Sequence, residues 1–128
     1  MKILLIEDDA LFRGLISAAL TNHGYKIVTA VDGEDAFQRI LSESFDLVIT
    51  DLFMPNKEGF EVIQELRARH PDVKIIAISS DGLAGFSSFL KMAQAFGAND
   101  SLQKPFSPEQ LIEKIEEVRG LKAKKSSG

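Results

Sequence analysis

The sequence predicts an α/β domain of three layers, with helices on both faces of a five-stranded parallel sheet. Four short apolar, β-prone runs and a brief fifth strand are separated by segments of helical period. The segments between them are long enough to hold helices, whereas antiparallel neighbours would need only tight turns. Three of the runs are apolar at consecutive positions, as strands covered on both sides must be. Right-handed crossovers then distribute the helices over both faces.

"KILLI", from Lys2 to Ile6, is the first strand, and Leu11, Leu15, Ile16, Ala19 and Leu20 recur at helical spacing until Gly24. In that helix Leu15 is expected in the core and Phe12 on the outer side, where it can meet a partner. "KIVTA", from Lys26 to Ala30, is the second strand; the turn signal Asp32-Gly33 opens a helix marked by Ala36, Phe37, Ile40 and Leu41. "LVIT", from Leu47 to Thr50, leads into a loop through Pro55 and Gly59. A helix with Val62, Ile63 and Leu66 inward follows and closes at His70-Pro71. "VKIIAI", from Val73 to Ile78, is the fourth strand, and the helix after it carries Phe86, Phe89, Leu90, Ala93 and Phe96 before Gly97. The fifth strand is brief, near Ser101 to Gln103. The last helix has the strongest start signal, with Ser107 at the N-cap, Pro108 at the first helical position and Gln110 completing a capping box. Leu111, Ile112, Ile115 and Val118 supply its apolar stripe.

A chain of 128 residues suits one domain, expected over residues 1–121, with a polar basic tail of linker composition over 122–128. The absence of cysteine excludes disulfides and thiolate metal sites. No apolar run approaches the roughly 20 residues that cross a bilayer, and Met1-Lys2 leads into a strand without a signal-peptide pattern. The expected setting is the cytoplasm. A net charge of −4 argues against direct nucleic-acid contact by this domain, since phosphate binding needs clustered Lys and Arg. The one basic cluster, Lys122, Lys124 and Lys125, lies in the tail.

Chemistry collects at the carboxyl ends of the strands. Glu7, Asp8 and Asp9 follow the first, Asp51 the third, Ser79 and Ser80 the fourth, and Lys104 the fifth. In a parallel sheet these ends share one edge, where ligands bind. An acid or serine after a strand is often the cap of the next helix, and Asp9 and Ser80 suit that role. Asp8 with Asp51 suits it less, because two carboxylates near 4 Å repel by about 4 kcal/mol at an effective dielectric of 20. Lys104 or a divalent cation could offset that charge. Oxygen ligands without sulfur or histidine favour Mg²⁺ over zinc. A metal, a carboxylate, a hydroxyl and an ammonium in one small volume are the parts of a phosphoryl acceptor. Asp51 would be the nucleophile, Lys104 and Mg²⁺ would neutralise phosphoryl oxygens, and Ser79 would bind another.

The motifs "IEDD", "DLFMPNKEG" and "KPF", with the fourth strand ending at Ser79, resemble those of response-regulator receiver domains of two-component phosphorelays, over residues 2 to about 120. The resemblance implies a flavodoxin-like sheet in the order 2-1-3-4-5 and a single-domain switch like a chemotaxis regulator. It implies Asp51 as phosphoacceptor for a histidine kinase or histidine phosphotransfer protein, with slow loss of the phosphoryl group. It also implies Asp8, Asp51 and the backbone carbonyl of Phe53 as metal ligands, with Glu7 acting directly or through water. Ser79 would be the switch hydroxyl, the Lys104–Pro105 bond cis, and the face of the fourth helix, fifth strand and last helix the surface shown to a downstream protein or output domain. Two departures stand out. The 25 residues from Ser79 to Lys104 exceed the usual number, with the excess placed in "SSDGLAGFSSF", and Ser101 stands where an aromatic is common. Hydroxyl recruitment therefore carries over, but an aromatic rotamer switch does not. His23 and His70, at helix ends, are expected to be solvated or capping. A phosphatase with an aspartyl nucleophile is disfavoured, because its second acid would fall at Phe53, and a protein-binding module without phosphorylation is the third alternative.

Overall fold

A computed structural model describes residues 1–52, 59–79 and 86–120, with the backbone alone at 86–90. Its elements follow in the order β1 (Lys2–Ile6), α1 (Ala10–Asn22), β2 (Lys26–Ala30), α2 (Gly33–Ser42), β3 (Leu47–Asp51), α3 (Gly59–Arg69), β4 (Lys74–Ser79), α4 (Phe86–Phe96), β5 (Asp100–Gln103) and α5 (Pro108–Val118). The sheet is parallel throughout, in the order β2-β1-β3-β4-β5. The expected tail, Phe53, Ser80 and most of the long segment before α4 lie outside the described residues.

Strand alternation divides the core in two. Leu4, Ile6, Val48, Ile75 and Ala77 face the helices α2, α3 and α4, meeting Ala36, Ile40, Val62, Ile63, Leu66 and Ala93. Ile3, Leu5, Leu47, Ile49, Ile76 and Ile78 face α1 and α5, meeting Ile16, Leu20, Leu111 and Ile115. Both faces being covered explains the unbroken apolar runs. The capping box of α5 forms as expected: Gln110 N–H donates to Ser107 Oγ and Ser107 N–H to Gln110 Oε1.

The phase of α1 differs from the expectation. Leu15 is 61% exposed and Leu11 74%, whereas Ile16 and Leu20 are buried and Phe12 is half-buried against the same core. Both Leu11/Leu15 and Phe12/Ile16 are apolar pairs four residues apart, so either row could face inward. Asp9 caps the helix, its side chain accepting the Phe12 N–H, and packing sets the row 12-16-20 against the sheet. In α2, likewise, Ala36 and Ile40 are buried and Leu41 is exposed. On α4 Ala93 is buried and Phe96 packs edge-on against Phe60, ring centroids 5.3 Å apart, while the side chains of Phe86, Phe89 and Leu90 lie outside the description. β4 extends to Ser79 and begins at Lys74 rather than Val73.

Candidate functional site

The period of two that builds the core also delivers the charges. On the face toward α1 and α5, β1 presents Ile3 and Leu5, β3 presents Leu47 and Ile49, and β5 presents Leu102. Two residues further on stand Glu7, Asp51 and Lys104. One apolar face thus continues into two acids and an ammonium at the carboxyl edge.

These side chains converge. Lys104 Nζ lies 2.5 Å from Glu7 Oε1 and 3.1 Å from Asp51 Oδ2. Oxygens of Glu7, Asp8 and Asp51 all lie within 4.8 Å of one another. Glu7 and Asp51 are buried, at 1% and 3% exposure, while Asp8 is exposed. Ser79 is fully buried at the end of β4, next to Lys104 in another sense: its carbonyl accepts the Lys104 N–H at 2.8 Å. The Lys104–Pro105 peptide is cis. Phe53 lies outside the described residues, so its carbonyl is not placed.

Local bonds hold the acids in position. Glu7 Oε2 accepts the Asp9 N–H at 3.1 Å, and the Arg13 guanidinium donates to the Glu7 carbonyl at 2.7 Å. Thr50 donates its hydroxyl proton to the Asp51 carbonyl, and Leu52 N–H donates to the Ile78 carbonyl at 2.8 Å. Gly59, at the start of α3, donates to the Leu52 carbonyl at 3.2 Å. A Cβ at Gly59 would sit 2.2 Å from the Asp51 carbonyl oxygen, so only glycine lets α3 start against the end of β3. The glycine inside "DLFMPNKEG" is the sequence signal for the Gly59 support, whereas Arg13 acts on a backbone carbonyl and carries none.

Burial pushes the Glu7 carboxyl up to about 6. The hydrogen bonds from Lys104 and from the Asp9 N–H oppose that rise, and the charge on Asp51 adds to it. Burial alone would lower the Lys104 ammonium, but its hydrogen bond to Glu7 and the charge on Asp51 outweigh it and raise the group above the ordinary lysine value. Among the described residues three carboxylates face one ammonium, a formal +1 − 3 = −2 within the cluster. With oxygen donors only, this set fits a hard divalent cation and not a thiophilic one.

The histidines stand apart from this chemistry. His23 is the exposed C-cap of α1, and His70 follows α3 with its N–H on the Leu66 carbonyl at 2.7 Å. Ser101 is half-buried in β5 opposite Ala77.

Residues 3–116 match the family model of the response regulator receiver domain. The chain belongs to that family. The receiver domain is 37% identical over 136 aligned positions to the transcriptional regulatory protein RprY of Bacteroides fragilis, covering 99% of this chain and 54% of the relative. It is 38% identical over 122 positions to the probable transcriptional regulator ycf27 of Porphyridium aerugineum, covering 91% of this chain and 47% of the relative. The receiver domain thus spans about half the length of the curated relatives it matches. Among solved structures, the chemotaxis response regulator CheY4 of Vibrio cholerae superposes with a TM-score of 0.84 at 29% identity, covering 91% of this chain and 97% of that one. The protein is a receiver domain of two-component signalling, a switch whose family binds Mg²⁺ at an acidic pocket and works with kinases and output domains. Among the described residues no helix is long and apolar enough to cross a membrane.

Proposed function

We propose that the receiver domain takes a phosphoryl group from a phosphohistidine donor onto Asp51. The observation that carries this reading is the Lys104 ammonium bound between Glu7 and Asp51, with the Asp8 carboxylate alongside. An Asp51 carboxylate oxygen attacks phosphorus; the O–P bond forms as the P–N bond breaks, and the electron pair stays on that ring nitrogen, so that an imidazole protonated at its other nitrogen leaves neutral. Lys104 stabilises the charge spread over the phosphoryl oxygens, and Ser79 supplies the hydroxyl that the phosphorylated state recruits. Asp8, Asp51 and the Phe53 carbonyl would hold Mg²⁺, which when bound neutralises phosphoryl charge. Glu7, whose oxygens accept from Lys104 and the Asp9 N–H, would assist in holding the ion directly or through water. Water attack on the acyl phosphate, promoted by the same groups, resets the switch slowly.

Leu11 and Leu15 give α1 an exposed apolar row beside the active edge, which suits docking of a histidine kinase or phosphotransfer protein. The face of α4, β5 and α5 would carry the signal to a partner or output domain in the cytoplasm. The test is mass spectrometry after incubation with phosphoramidate and Mg²⁺. Wild type should gain one phosphoryl group, Asp51→Asn none, and chelator should abolish the gain. Equal loading of both proteins would overturn the assignment.

A further inference from the structure

The Lys104 ammonium has a third neighbour besides its two carboxylates. It lies 4.2 Å from the centroid of the Phe12 ring, on the ring face. Phe12 is itself braced, meeting Phe106 edge-to-face with centroids 5.4 Å apart and planes at 84°. Its backbone is held too: the Phe12 N–H is bonded by the Asp9 cap, and the next residue, Arg13, is tied to the Glu7 carbonyl. The first turn of α1 therefore places an aromatic face against the ammonium through two rigid attachments to the loop that carries the acids.

We propose that Phe12 is a positioning residue for phosphoryl transfer, holding Lys104 in place while its bond to Asp51 is exchanged for one to the phosphoryl group. This rests on the reading of Asp51 as acceptor. When Asp51 is esterified it loses charge, and the ammonium loses one of its two anionic partners. The ring attracts a cation through its quadrupole and takes no anion or acceptor away from the site. With Glu7 on one side and Phe12 on another, Lys104 has no need to reorganise as the donor now on Asp51 turns to a phosphoryl oxygen. A lysine held by carboxylates alone would follow the remaining charge toward Glu7.

The experiment compares wild type, Phe12→Leu, Phe12→Tyr and Asp51→Asn with phosphoramidate, a donor too small to need the docking surface of α1. Phe12→Leu keeps apolar bulk without the aromatic face, and should load about fivefold more slowly at saturating Mg²⁺, the scale of a partly desolvated cation–π contact. Its Mg²⁺ midpoint should stay within about twofold of wild type, and Phe12→Tyr should restore the rate. By NMR the Lys104 ε-methylene protons should lose their ring-current shift in Phe12→Leu and keep it in Phe12→Tyr. A normal rate for Phe12→Leu, equal slowing of both Phe12 variants, or a Mg²⁺ affinity that falls in step with the rate would overturn the role of Phe12 while leaving Asp51 as acceptor. Loading that does not depend on Asp51, or a wild type that takes up no phosphoryl group, would overturn the reading of the site and this inference with it.

Discussion

At opposite edges of the sheet a cation ties distant segments together, and the two do so with different partners. At the carboxyl edge Lys104 binds the carboxylates of Glu7 and Asp51. At the amino edge the Arg67 guanidinium donates to the carbonyls of Pro71, Val73 and Gly97 and to Asn99 Oδ1, which also accepts the Ile75 N–H. Carbonyls are neutral dipoles, so the Arg67 clamp is complete as it stands. Gly97, at φ 123°, lies so close that a Cβ there would meet the arginine side chain at 3.0 Å. The Lys104 cluster instead keeps an excess of negative charge after its one cation is counted. One edge is a fastening; the other, among the described residues, is left with net negative charge.

Removing each cation should separate the two. Lys104→Met leaves buried Glu7 and Asp51 without their partner and should cost about 3 kcal/mol in chelator, the lower end for a broken buried pair because Glu7 can take up a proton. Saturating Mg²⁺ should recover much of that loss. Arg67→Met should cost about 2 kcal/mol, from carbonyls left short of donors, and Mg²⁺ should not alter it. Denaturant titration with and without Mg²⁺ checks both. If Mg²⁺ changed the two costs equally, the distinction between the edges would be wrong.

A smaller effect follows from Glu7. Its folded value, about 6, lies above the ordinary 4.5, so the native state holds the proton more tightly than the unfolded chain does. The stability this contributes is fully present below 4.5 and is lost as pH rises through 6. The difference of 6 − 4.5 = 1.5 corresponds to on the order of 2 kcal/mol in metal-free protein. Subtracting the pH profile of Glu7→Gln from that of wild type isolates this contribution; coincident profiles would remove the claim.

The parts of this contrast were unequally legible in the sequence. Apolar runs, capping signals and the motifs around Glu7, Asp51 and Lys104 pointed to the sheet and the acidic edge, because strand period and turn chemistry are local. The sequence places Leu15 inward and the structure places it outward, since Leu11 and Leu15 have the same spacing as Phe12 and Ile16, and only packing on the sheet distinguishes them. Arg67 gave no signal either. Its acceptors include a carbonyl 30 residues away, and a backbone oxygen carries no sequence identity. The bond from Lys104 to Glu7 spans 97 residues and became visible only once β1, β3 and β5 lay in register on one face. The structure also separates two acids that sequence treats alike. Asp51 is buried and paired with Lys104, so its removal forfeits a bond, whereas exposed Asp8 adds charge to the same cluster.

Thermal melting of wild type and Asp8→Asn, in EDTA and in saturating Mg²⁺, tests most directly whether the carboxyl edge is short of positive charge. Relief of about 1 kcal/mol of screened repulsion should raise the melting point of Asp8→Asn above wild type by roughly 3–5 °C in EDTA. Mg²⁺ should reverse the order by stabilising wild type more than the variant. An Asp8→Asn protein that melts lower than wild type in EDTA, with both shifted equally by Mg²⁺, would contradict the account.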